Sequence, residues 1–481
     1  MQRHPPSPQL SPGGTKTGVL LKNLSGLLPA ALLAALLACA PDMPRPGSGS
    51  ASRYELLDAS SSSAAPFQEP AWELDPLVVL PAEERQGEGF RVESIRYGPG
   101  FVYTYSILTE NGELEARGRG RLRKRVREIQ TLAGLKSAGV EDSDVYVLAL
   151  ANAAGAPAEG GMQLLFNPIR TTTNIPKGMW SMAQGYYEMI GAGRTYLEDD
   201  YFHELIGFSR AKREWAYRLG LDPYSANPQL QAVLDRLAWL SLAGGMTVRL
   251  PLIAVPGGAS IALTVTNTSD DMKRELRDET PEEIRIRNRK ILLETFSVEQ
   301  TEATNFIEHP WYSPTAQLEI VDALMALSQA GNRKVFIELS TLADTPTEAY
   351  SFTRLALLFQ AFESNVESLT RLFSANGLIA AETDRGNLVV PLNVDFGFWT
   401  QGAALFLERL DEGIQDQGPK NRQKKYALVS GSLSPEARSE LQNRGWTVME
   451  NLEDIWLDKI DADAFTPAEP DPNRILPEIG S

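Results

Sequence analysis

Between residues 90 and 118 apolar and polar side chains alternate, as in Phe90-Arg91-Val92-Glu93 and Glu113-Leu114-Glu115-Ala116. That period of two predicts a β meander over 90–97, 101–109 and 113–118, with Asn111-Gly112 turning the second hairpin. Helical spacing takes over afterwards. It predicts helices over 122–135, over 144–153 behind the caps Asp142 and Ser143, and over 201–219. A further helix starts at Asn227-Pro228, where Leu230, Val233, Leu234, Leu237 and Ala238 recur. In the second half one start signal repeats: Thr280-Pro281-Glu282-Glu283, Ser313-Pro314-Thr315 and Thr345-Pro346-Thr347-Glu348 each place a capping hydroxyl before proline at the first helical position. The helices they open are predicted over 281–296, 314–329 and 346–373. A hairpin over 378–382 and 388–393 follows, then a helix over 400–411. A strand over 426–430, a helix over 434–443 ended by Gly445 and a strand over 446–450 complete the series. The fold class is therefore α+β, mainly α-helical: an N-terminal β meander followed by helices, a helical second domain and a small C-terminal strand-helix-strand unit.

The chain starts with a different pattern. Residues 1–38 carry Arg3, Lys16 and Lys22 and no acid, then an apolar run over 27–38 that is too short for a resident membrane span. The run ends Leu36-Leu37-Ala38-Cys39. These four residues resemble the lipobox of bacterial lipoprotein precursors, with Leu37 bulkier than the small residue usual there. The resemblance implies cleavage before Cys39, a thioether-linked diacylglycerol on that sulfur, and anchorage in an envelope membrane. Ala40 after the cysteine implies the outer membrane, facing the periplasm. Cys39 is the single cysteine among 481 residues, so no intrachain disulfide and no thiol catalyst is available to the mature protein. Residues 39–75, rich in Pro, Gly, Ser and Ala, predict a flexible tether whose reach is on the order of 30 Å. The expected domains are then 76–270 with the meander, 271–415 helical, 416–461 strand-helix-strand, and a loose tail over 462–481.

Loss of the three signal-peptide cations takes the formal charge from −16 to −19. Nucleic acid would be repelled, so the expected partners are the membrane, through the lipid on Cys39, and another envelope protein. The local exception, the basic run over 117–127 (RGRGRLRKRVR), predicts a solvated helix face rather than a phosphate-binding patch.

Chemistry-bearing residues are sparse. The mature chain has only His203 and His309, too few for a three-histidine zinc site, and no metal or cofactor is expected. Asp199 and His203 lie four apart, one turn of a predicted helix, a spacing that suits an acid/base pair. Glu308-His309-Pro310-Trp311-Tyr312 lies between two predicted helices, where a ligand could reach it; the competing reading is a rigid corner plugged by Trp311 and Tyr312. Ser209-Arg210-Ala211-Lys212 matches the S-x-x-K pattern by chance, because the accompanying K-T-G triplet is absent from the mature chain. Two apolar, glycine-bearing stretches, 175–190 and 239–266, suit a buried hairpin or a membrane interface. The body resembles uncharacterised proteobacterial envelope proteins through Asp222-Pro223-Tyr224-Ser225-Ala226-Asn227-Pro228 and Asn167-Pro168-Ile169-Arg170, a resemblance that implies no activity.

The expected function is a lipid-anchored envelope protein acting as a non-enzymatic binding or assembly factor. One alternative is a periplasmic hydrolase or cell-wall enzyme using Glu308 with His309, or Asp199 with His203. The other is a membrane-perturbing protein acting through 239–266. Cys39→Ala should abolish incorporation of labelled palmitate and leave an uncleaved precursor; a variant that still took up the label would overturn the lipid assignment.

Overall fold

The computed structural model describes residues 67–137, 207–242, 268–419 and 424–464. The protein is an α+β fold built on two sheets, with helices packed against both. In the first, β1 (Glu73–Leu74), β3 (Phe90–Arg96), β4 (Thr104–Thr109) and β5 (Gly112–Arg117) run in that order, all antiparallel, and β2 (Gln86–Gly87) pairs with β3. The helices α1 (Pro76–Val79) and α2 (Ala82–Arg85) link β1 to β2. The meander's apolar face, with Phe90, Val92, Ile95, Tyr105, Ile107 and Leu114, packs on Leu122, Val126 and Ile129 of α3 (Arg119–Ser137). Those three helix positions share one stripe, as the spacing requires.

Two details of the meander differ from the sequence prediction. Strand β4 starts at Thr104 instead of 101, because Pro99-Gly100-Phe101 forms a one-turn 3-10 helix with left-handed backbone at Gly100 (φ 70°) and Phe101 (φ 62°). The second hairpin turns at Glu110-Asn111, one residue early, since Thr109 pairs with Gly112 and its hydroxyl donates to the Gly112 carbonyl.

Helices α4 (Phe208–Leu219) and α5 (Pro228–Leu242) pack together and close a small core with Leu132 and Leu135 of α3. Among the described residues α4 begins after Gly207, whose φ of 74° is non-helical. The loop between them is a hydrogen-bonded corner. Asn227 caps α5 by accepting from the Gln229 N–H at 3.0 Å and donates to Glu128 of α3 at 2.9 Å, while Asp222 accepts from the Thr315 hydroxyl at 2.6 Å.

Then come α6 (Thr268–Asp278), α7 (Pro281–Glu294), α8 (Gln300–Ile307), α9 (Pro314–Ala326), α10 (Lys334–Ser340) and α11 (Pro346–Asn365). Thr280 forms a full capping box with Glu283, and Ser313 and Thr345 each accept from the N–H three residues on. The helix predicted over 346–373 stops at Asn365, and residues 369–375 form a strand instead. Asn376 (φ 50°) and Gly377 (φ 85°) supply the paired left-handed residues of a two-residue hairpin turn, which pairs β6 (Leu369–Ala375) with β7 (Leu378–Thr383).

The second sheet has the order β12-β10-β8-β7-β6. Strands β8 (Leu388–Leu392), β10 (Lys425–Val429) and β12 (Trp446–Met449) are mutually parallel, while β7 is antiparallel to both β6 and β8. The short strands β9 (Phe396–Gly397) and β11 (Ser432–Leu433), which follow β8 and β10 in the chain, form a separate parallel pair. One face, with Ile379, Ala381, Val389 and Leu428, joins the core of helices α7 to α11. The other, with Ala380, Val390, Ala427 and Val429, meets Leu407, Leu410 and Ile414 of α12 (Gln401–Gln417) and Leu441 of α13 (Pro435–Asn443). Burial on both faces explains the continuous apolar runs of these strands. The hairpin and the strand-helix-strand unit thus share one sheet.

The basic run is not a solvated face. Arg119 and Arg123 both reach Glu84 of α2, at 3.0 and 2.6 Å, and Asp454; Lys124 reaches Glu319 of α9 at 2.9 Å and Asp461 at 3.5 Å. Beneath them Arg354 of α11 is fully buried between Glu453 at 2.6 Å and Asp461 at 3.0 Å. Glu453 opens a π-turn (Glu453–Leu457), and Asp461 lies on α14 (Asp458–Ala464). The run predicted as solvated is a charge seam because acids from four separate elements converge on it. Burial penalises each ion, and only the paired geometry offsets that penalty. Arg354→Met should therefore destabilise the protein by about 3–5 kcal/mol in urea unfolding, since it leaves Glu453 buried without its cation and Asp461 with Lys124 alone. Combining it with Glu453→Gln and Asp461→Asn should recover much of the loss.

Candidate functional site

The predicted sites fare differently. Cys39, Asp199 and His203 lie outside the described residues, as do 175–190 and the apolar stretch beyond Leu242. Glu308 and His309 are adjacent at the end of α8 but face different partners. The Glu308 carboxylate is exposed and lies 3.6 Å from Arg289. The His309 ring stacks on Tyr312 at 4.8 Å and hydrogen-bonds the backbone of Thr341 and Ala343; burial lowers its pKa. Tyr312 is fully buried and donates to the Ser340 carbonyl at 2.8 Å, whereas Trp311 is 43% exposed. Tyr312 alone plugs this corner. Lys212 of the chance S-x-x-K match pairs with Asp235 at 2.7 Å. Among the described residues no group of three or more His, Cys, Asp or Glu is placed to hold a metal, and no helix is long and apolar enough to cross a membrane.

A different place gathers the features of a binding site. The turn at Pro99–Phe101 bends over the end of β8, and the cleft beneath it is bounded by α11, by the β6–β7 turn and by Phe406 of α12. Val102, Phe352, Leu378, Ile379, Val390 and Val394 supply apolar wall. The carboxyl ends of parallel strands are where α/β sheets leave room for ligands, because the chain departs there into loops.

Polar groups in the wall are few. The Asn393 amide donates to Ser351 Oγ at 3.0 Å, and that hydroxyl donates to the Thr347 carbonyl at 3.0 Å. Glu348 accepts from the Asp344 N–H at 2.6 Å, and burial raises its pKa. Among the described residues no lysine or arginine lines the cleft. Its chemistry favours a mainly apolar group and disfavours an anion, which would find no cation there; Glu348 is the one ionisable side chain in the described wall.

The turn is strained and fixed from outside. A bulky residue with left-handed backbone is costly, on the order of 1–3 kcal/mol, and persists where neighbours over-determine it. Here the neighbour is Asp395, just beyond β8. Its N–H donates to the Phe101 carbonyl at 2.9 Å; its two carboxylate oxygens accept from the Tyr103 N–H at 2.7 Å and the Arg119 N–H at 2.9 Å, and the Tyr105 hydroxyl bonds it too. One residue thus holds the roof of the cleft through its backbone N–H, and the entry of β4 and the start of α3 through its carboxylate. A cap acceptor 276 residues away in sequence also explains why α3 begins at Arg119 and not 122. No local signal marks Asp395. The visible hints were Pro99-Gly100, which cannot continue a strand, and Asn376-Gly377, a hairpin dipeptide.

Comparison with protein-family models, with curated proteins and with solved structures found no match to this chain.

Burial pushes the Asp395 carboxyl up to about 6, against the lowering pull of its three donors. Its folded pKa then lies above that of an unfolded aspartate, near 3.9, so its contribution to stability is complete below about pH 4 and is lost as pH rises through about 6. Urea midpoints should fall between pH 5 and 7, and Asp395→Asn should flatten that stretch by on the order of 1–2 kcal/mol. An unchanged slope would place the titrating group elsewhere.

Proposed function

We propose that this chain is a lipid-anchored cell-envelope protein, held by Cys39 and facing the periplasm, that binds another envelope component at the cleft beneath the Pro99–Phe101 turn. The observation that carries the binding role is the cleft itself: apolar walls without a cation, and a strained roof clamped by Asp395. Strain of this kind recurs at ligand clamps, where a preformed site lowers the ordering cost of binding. Anchorage is supported by the lipobox and by the single cysteine falling within it. The envelope component is expected to present an apolar group, a side chain or an acyl segment, since nothing in the described wall would neutralise an anion.

The hydrolase reading has less support. Glu308 and His309 engage different partners, so neither is poised to hand a proton to the other.

The test is to extract tagged full-length protein from native membranes in mild detergent and identify stoichiometric copurifying proteins. Leu355→Trp, which fills the cleft from α11, serves as the comparison. A partner retained by the wild type and lost from the variant supports the reading. A partner bound equally by both moves the binding surface elsewhere, and a protein that purifies alone counts against the assembly role.

A further inference from the structure

The large apolar side chains left exposed are not spread evenly. Of the twelve among the described residues, Phe67, Trp72, Leu77, Val78 and Val79 fall within thirteen consecutive positions. Leu77 and Val78 are 69% and 81% exposed. Such a concentration of exposed apolar side chains in one short segment is unfavourable to leave in water and marks an interaction site.

The fold presents these residues rigidly. Strand β1 holds the segment on one side, Leu74 pairing with Ile95 of β3, and Leu80 is buried in the meander core on the other. Between those two points Asp75 caps the short helix α1, accepting from the Leu77 N–H at 2.8 Å, and Pro76 presets its first turn. With both ends fixed, Leu77 and Val78 project outward. Trp72 lies edge-on to Tyr97 at 5.6 Å with half of its surface exposed, the amphipathic posture an indole takes at a lipid–water boundary.

The place of this edge along the chain selects its occupant. The described body begins at Phe67, and Gln68 is pinned at once: its N–H donates to the Trp399 carbonyl at 2.6 Å, its side-chain oxygen accepts from Ser434, and its amide donates to Glu436. Only 27 residues separate Cys39 from Phe67. As a flexible chain they span about 30 Å, and fully extended at most about 95 Å. The edge is thus the part of the body tethered closest to the lipid.

We infer that the segment from Phe67 to Val79 rests in the surface of the membrane that carries the anchor, with Leu77 and Val78 as its inserted tip. The inference rests on the lipid-anchor reading. The contact is apolar, not electrostatic: residues 67–85 contain Glu69, Glu73, Asp75, Glu83 and Glu84 against one cation, Arg85. It therefore favours a zwitterionic surface and weakens as anionic lipid is added. Such a seat would also fix which side of the body faces away from the bilayer.

The chain's cysteine economy supplies the test. If Cys39 is blocked by its lipid, Leu77→Cys, Val78→Cys and, as a control on the outer sheet face, Glu93→Cys each give one reactive thiol, which takes a nitroxide label. The purified full-length proteins are reconstituted into phosphatidylcholine vesicles, with and without a third of phosphatidylglycerol. Accessibility of the label to dissolved oxygen and to a water-soluble nickel chelate is then read by electron paramagnetic resonance. The expected result is an oxygen-to-nickel ratio at 77 and 78 several-fold above that at 93 in phosphatidylcholine, reduced by phosphatidylglycerol. Equal ratios at all three positions would overturn the inference. Shielding from both reagents at 77 and 78 would also overturn it, by revealing a protein contact. Label stoichiometry separates the two readings: two nitroxides per chain would mean Cys39 is unmodified and the anchor reading has failed, while the accessibility ratio after vesicle addition still reports on the edge.

Discussion

Arg354 sits without solvent access between Glu453 and Asp461, and the architecture around it follows from the need to satisfy that one cation. A guanidinium buried alone would cost a large part of a domain's net stability, which favours folding the elements that carry its two carboxylates back against α11. Asp461 in turn meets Lys124, which also reaches Glu319, and Glu84 binds Arg119 and Arg123 from the N-terminal side. Helix α3 is therefore held between the first described elements, the central helices and the last ones. Apolar cores can slide or repack at modest cost, whereas a chain of buried ion pairs has one register in which all its members are satisfied.

The cleft depends on the same arrangement. Asp395 positions the Pro99–Phe101 turn, yet its carboxylate also caps the helix whose cations make the seam. Placing the roof of the cleft and docking α3 are consequently one event. Loosening α3 would withdraw the Arg119 N–H from Asp395 and release the strained backbone at Phe101. This physical coupling between the meander and the second sheet makes the site a property of the whole body and not of one loop.

The proposed anchorage and the exposed edge at residues 67–79 give that body a direction. The chain enters at Gln68, which is bonded to Trp399, Ser434 and Glu436 near the second sheet, and then passes to the first sheet at β1. The entry point is thus stitched to both sheets before Leu77 and Val78 are offered outward.

Much of the secondary structure could be read directly. The alternation over 90–118, the Thr-Pro and Ser-Pro starts at 280, 313 and 345, and the strand-helix-strand pattern near the C-terminus all reflect local physics. Pleat, capping geometry and helical period act over a few residues and leave their mark in order along the chain. Errors arose where partners are remote. The run over 117–127 looked solvated because its acids come from positions 84, 319, 454 and 461; residues 369–375 looked helical because their pairing strand lies across a turn. By itself the sequence determined the α+β class and most element boundaries. Tertiary structure alone decided which charges are buried, that Asp395 serves three elements, and where a cleft opens. Burial and long-range hydrogen bonding join residues hundreds of positions apart, and no local pattern encodes them.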